Sequence, residues 1–114
     1  MRNIAEIKME SVTSASQSSV FTNNQCDLCT VQVFGTATAM KVQVQGMTDI
    51  DSDEWQNLAV FDNSDLSLTE GDDGITAKGI YSAMVEGVTQ VRINVASVTG
   101  TLNVTAKFAD TSAD

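Results

Sequence analysis

Val91–Phe108 reads VRINVASVTGTLNVTAKF. Val91, Ile93 and Val95 alternate with Arg92, Asn94 and Ala96. Ser97–Gly100 breaks the rhythm, and Leu102, Val104, Ala106 and Phe108 then alternate with Asn103, Thr105 and Lys107. Successive side chains of a strand point to opposite faces, so a period of two puts one face in a core and the other in water. The stretch predicts two half-buried strands joined by a short turn, a β-hairpin.

The same pattern spreads outward. Cys29, Val31 and Val33 alternate with polar residues, FGTATA supplies a turn, and Met40, Val42 and Val44 alternate again up to Gly46. This predicts a second hairpin. WQNLAVF (Trp55–Phe61) predicts a strand with large apolar groups on both faces, which places it centrally or against a partner. Leu66–Leu68 is a short run ending in the turn EGDDG, and Ile75–Val85 is a strand region bulged at Gly79. Upstream, Ile7 and Met9 alternate with charged residues in a first strand over Ile4–Val12, preferred to a short amphipathic helix. Ser11–Gln25 is serine-rich and polar. It reads as an extended arm or a loop crossing a sheet, anchored only by Val20 and Phe21.

Valine and threonine dominate, and there is no proline. β-branched side chains lose rotamer freedom in helices and pack well on pleated sheets. About seven to eight short strands are expected, making an all-β, antiparallel β-sandwich or jelly-roll-like barrel. The expected division is residues 1–25 as N-terminal strand and polar arm, and residues 26–114 as the sandwich domain.

Six basic residues face fifteen acidic ones, for a net charge of −9. Binding a polyanionic phosphate backbone needs a basic stripe to displace counterions, which argues against nucleic acid as a partner. An anionic membrane surface is disfavoured for the same reason. No run approaches the roughly 20 apolar residues of a membrane-spanning helix, and the first residues lack the apolar core of a signal peptide.

No chemical motif is complete. Cys26 and Cys29 form a CxxC without the further ligands of a structural zinc site, and the motif opens a strand where redox pairs sit at a helix N-terminus. Two reduced thiols are the favoured reading, over a disulfide, an intermolecular metal or a redox factor. Asp49, Asp51, Asp53 and Glu54 resemble the start of a calcium loop, but the glycine and the bidentate glutamate that an EF-hand requires are absent. Glu70, Asp72 and Asp73 form a second acidic cluster. Both read as solvated loops, with Asp49, Asp51, Asp53, Asp72 and Asp73 as weak calcium candidates. Histidine is absent, and no carboxylate pair stands out for glycoside hydrolysis. The expectation is a protein that is not an enzyme and needs no cofactor. Trp55 and Tyr81 are candidates for stacking on a sugar, although a tryptophan in so apolar a strand reads first as core or subunit seam. Arg92, amid so many acids, is expected to pair with a carboxylate and order its strand.

From Thr30 onward the chain resembles small structural proteins of tailed bacteriophages. The resemblance lies in the order of TVQVFG, KVQVQG, an acidic DSDEW loop, LTEGDDGITAKGIY, VEGVTQVRINVASVTG and a final threonine- and valine-rich strand. It implies a β-sandwich building block of the virion, assembled in the cytoplasm of a bacterial host. The type would be a capsid decoration or cement protein, a head fibre or a tail accessory protein. The implied partners are the major capsid protein or other virion proteins, and further copies in a homo-oligomer. Interface candidates are Ile7 and Met9, through strand addition by residues 1–12, together with Val20, Phe21, Trp55 and Phe61. The alternative from another class is a carbohydrate-binding module for host adhesion.

Overall fold

The computed structural model describes residues 2–112. Met1, Ala113 and Asp114, which fall within the expected segments, lie outside the described residues, as do the side chains of Arg2, Asn3 and Ile4. Two antiparallel sheets pack face to face in an all-β sandwich. The first sheet has the order β1 (Arg2–Val12), β11 (Leu102–Asp110), β4 (Leu28–Gly35), β9 (Gly79–Met84), β7 (Val60–Asp62), β8 (Leu68–Thr69). The second has the order β2 (Ser16–Gln17), β10 (Gln90–Thr99), β5 (Ala39–Met47), β6 (Gln56–Leu58), with β3 (Phe21–Thr22) also pairing with β10. Several of these strands are only two or three residues long, which is why alternation alone resolves fewer of them.

The alternating residues of Val91–Phe108 are buried as expected: Val91, Ile93, Val95, Leu102, Val104, Ala106 and Phe108 all face the core. The hairpin is not there. β10 belongs to the second sheet and pairs with β5, whereas β11 belongs to the first and lies between β1 and β4. The expected hairpin of β4 and β5 is corrected in the same way, because β4 pairs with β11 and β9. Each unit is an arch that carries the chain from one sheet to the other, and the two arches pair with each other. Alternation fixes which face is buried, but both halves of an arch and both halves of a hairpin bury one face toward the same core.

The arches meet at their turns. Thr101 O accepts from Thr36 N (3.0 Å) and Ala37 N (2.9 Å), and Thr99 O accepts from Thr38 N (2.9 Å). Gly100 has φ +99°, and a Cβ there would lie 2.9 Å from the Cα of Ala37. Only glycine fits that backbone and that approach.

Trp55–Phe61 is also not one strand. β6 adds to β5 in the second sheet, Ala59 interrupts, and β7 pairs with β9 in the first. The chain changes sheets here, which explains apolar groups on both faces. Leu58 packs against the core and Val60 is buried, while Trp55 and Phe61 end on the outer faces of different sheets. In the Ile75–Val85 region, Ile75 makes an isolated bridge to Val42, and the strand starts only at Gly79.

The N-terminal residues are woven into both sheets. β1 runs along β11, and Ile7 and Met9 enter the core. The serine-rich segment turns back across the second sheet, where Gln17 lies opposite Asn94 and Phe21 opposite Val91. The Phe21 ring stacks on Phe108 with centroids 4.2 Å apart.

Candidate functional site

The outer face of the second sheet is a polar lattice. Asn94 Nδ2 donates to Gln43 Oε1 (3.0 Å), Arg92 Nε to Gln45 Oε1 (2.8 Å), and Gln45 Nε2 to Asn57 Oδ1 (2.9 Å). Asn57 Nδ2 then donates to Asp72 Oδ1 (2.8 Å). Gln, Asn and Arg project from neighbouring strands in register, so each side chain finds its partner directly across the ladder. Arg92 places its guanidinium 4.1 Å from the centroid of the Trp55 ring. This corrects the expected carboxylate pairing. Among the described residues the ion pairs join Glu6 to Lys8 (3.7 Å) and to Lys107 (3.9 Å), while Arg92 takes an amide and an aromatic face. A guanidinium stacks on indole while its planar N–H groups still reach a neighbour. Covered on one face by Arg92, Trp55 does not pair with Tyr81 as a sugar platform. Tyr81 is a core residue whose hydroxyl donates to Ala77 O (2.8 Å).

The outer face of the first sheet differs between its two sides. Glu6, Lys8 and Glu10 make the β1 side charged. Ile80, Met84 and Leu68 are exposed on the far side, and Phe61 lies opposite Ser82 and Leu68 in the same layer. Leu66, 77% exposed with φ +62°, stands in the turn between β7 and β8.

The six interface candidates do not form one surface. Ile7 and Met9 are taken up by the chain's own core, and Phe21 covers Phe108. Trp55 and Phe61 lie on different sheets, and Val20 stands exposed in the loop before β3.

Both acidic clusters lie in tight turns. Asp49 accepts from Asp51 N (3.0 Å) and caps a single 3-10 turn, Ile50–Ser52, which ends at Asp53 in a left-handed conformation. Asp72 is engaged by Asn57, and Asp73 N donates to Glu70 O in the turn that precedes Ile75. Among the described residues no three acids or thiols converge in an arrangement that holds a metal ion. Cys26 and Cys29 are buried, and burial, with Cys26 nearby, pushes the Cys29 thiol up to about 12. A thiol so raised stays protonated at neutral pH and is a poor nucleophile.

A cleft of about 410 Å³ opens at one end of the sandwich among residues that include Asn23, Asp27, Glu86 and Asp110. Its wall is built by Asn23, a buried residue whose Nδ2 lies 2.9–3.0 Å from Cys26 O, Val85 O and Val88 O. Cys26 N donates back to Asn23 Oδ1 (2.8 Å). Asp27 and Asp110 at the rim are occupied by Thr111 and Ser112.

No protein-family model matches the chain, and no curated protein matches it. Solved structures do. The sandwich is similar to the SPBc2 prophage-derived protein YomS, with a TM-score of 0.76 and 20% identity over 91% of this chain and 92% of that one. It is also similar to the PBSX exported protein XepA, with a TM-score of 0.74 and 19% identity over 91% of this chain. Both neighbours are phage-derived. At these identities the likeness is one of fold. The chain spans nearly all of YomS but only 37% of XepA.

The sequence reading missed the amide lattice and the Asn23 node. Asn94 stands in it only as a residue of the polar face of its strand. The conversion of that face into a lattice depends on the pairing of β10 with β5, which alternation does not specify.

Proposed function

We propose that this chain is a non-enzymatic structural protein of a bacteriophage particle, and within that class a capsid decoration or cement protein seated on the major capsid shell. The observation that carries the reading is the sandwich held in common with two phage-derived proteins over nine-tenths of the chain. The surface suits the role. One outer face is closed by its own hydrogen bonds, while the other offers Ile80, Met84, Leu68 and Leu66 to water, the kind of patch that marks contact sites. A net charge of −9 keeps such a protein clear of packaged nucleic acid. Tagged protein followed through particle purification tests the reading. Copies imaged on the head shell are expected. Copies confined to the tail would move the protein to the tail-accessory class. A second reading, a phage accessory protein released from the cell, draws on the likeness to XepA, an exported protein. Protein found in the medium and never on particles would establish it at the expense of the first.

A further inference from the structure

A sheet edge exposes a row of unpaired backbone N–H and C=O groups, and proteins blunt such edges to avoid unwanted pairing. Among the described residues, three of the four edges are blunted by brevity. β8, β2 and β3 have two residues each and β6 has three. The fourth edge, β1, is 11 residues long, and among the described residues it has β11 on one side and no strand on the other.

We propose that β1 is the docking edge for a second copy of this chain, which pairs antiparallel across a twofold axis through Ile7. Two features of the strand specify that occupant. The first is geometric. Its register on β11 shifts between Asn3 and Ala5 and again between Met9 and Val12, so the regular segment is Ala5–Met9, centred on Ile7. The second is charge. Faces match only in registers that set inward residues against inward residues. The register centred on Ile7 sets Glu6 against the partner's Lys8 and Lys8 against the partner's Glu6. The register centred on Lys8 opposes two lysines and sets each Glu6 against the partner's Glu10. That centred on Glu6 opposes two carboxylates. The register centred on Met9 pairs Lys8 with the partner's Glu10 but runs into the irregularity before Val12. Lys107 already lies opposite Glu6 within the chain, so the Ile7 register gives an alternating row: Lys107, Glu6, the partner's Lys8. Cross-strand pairs of opposite charge favour a sheet and like pairs oppose it. The contact is isologous and consumes the one long edge strand among the described residues, so assembly by this route closes at two copies.

The proposal does not depend on where the protein acts. Light scattering on size-separated protein is expected to give twice the 12.1-kDa chain mass. Lys8→Glu and Glu6→Lys are both exposed changes, and each alone sets like charges across the axis, so each protein is expected at the single-chain mass. Mixing the two variants restores opposite charges at both positions and is expected to restore the double mass. Circular dichroism checks that each variant keeps its sheet. Wild-type protein at any mass other than twice the chain overturns the proposal, as does a variant that stays double or a mixture that stays single.

Discussion

Asp27 holds the end of β11 through a carboxylate that accepts from Thr111 twice. The Thr111 backbone N–H donates at 2.9 Å, and its hydroxyl donates to the second oxygen. These bonds favour the charged carboxylate and hold its pKa below the ordinary 3.8, with the Thr111 hydroxyl as the largest cause. A carboxylate depressed in the folded state contributes order that is complete above 3.8 and is lost as pH falls through the lower folded value. The group lies at the rim of the fold, so the consequence is local fixing of residues 110–112. On acidification the Thr111 amide resonance is expected to shift in a single step centred below 3.8. Asp27→Asn is expected to remove that step. A step centred above that value would refute the clamp. Such bonds were not legible in the sequence, since residues 27 and 111 become neighbours only when β4 pairs with β11. Arg92 teaches the same at the same scale. Composition gave its acidic surroundings, but its neighbours Gln45 and Trp55 were set by register and by the path of the chain before β6.

Among the elements, the two arches carry the sandwich from sheet to sheet, and their turns interlock at Gly100. Gly100→Ala would force a Cβ to within 2.9 Å of the Ala37 backbone at φ +99°, a conformation that side chains rarely adopt. Gly87 also has a positive φ, +79°, but nothing lies within 4 Å of a Cβ there. Gly100→Ala is therefore expected to cost about 2–4 kcal/mol in denaturant unfolding, from strain and overpacking together. Gly87→Ala is expected to cost about 1–2 kcal/mol, from backbone conformation alone. Equal losses at the two sites would mean that the arches do not bear on each other. The strands of these arches were legible from their period of two, and so were their buried faces. Their partners were not. An arch and a hairpin differ in where the backbone hydrogen bonds go, and side-chain patterning is silent on that. At Trp55–Phe61, apolar groups on both faces suggested one central strand, whereas the chain was passing between sheets at Ala59.

For the molecule as a whole, the chain's beginning and end meet at β1 and β11, and the N-terminal residues contribute to both sheets. The sequence separates residues 1–25 as an N-terminal strand and polar arm, because Ser11–Gln25 carries few apolar side chains. What it cannot show is that the apolar groups of both fill the core. Ile7 and Met9 are buried, and Phe21 covers Phe108 at the end of the space between the sheets. Fully burying such a side chain contributes about 1.5–3 kcal/mol, so Ile7 and Met9 alone contribute roughly 3–6 kcal/mol. A domain's net stability is about 5–15 kcal/mol. Deleting residues 1–25 would also strip the outer edges of β11 and β10 and open Val91, Val104 and Phe108 to water. The shortened chain is therefore expected to lose its cooperative thermal transition and to bind a dye for exposed apolar surface. A shortened chain that melts cooperatively within a few degrees of the full one would show that residues 26–114 stand alone. In that case β1 would be an arm laid on a finished sandwich, and its edge would be free to leave one copy and pair with another.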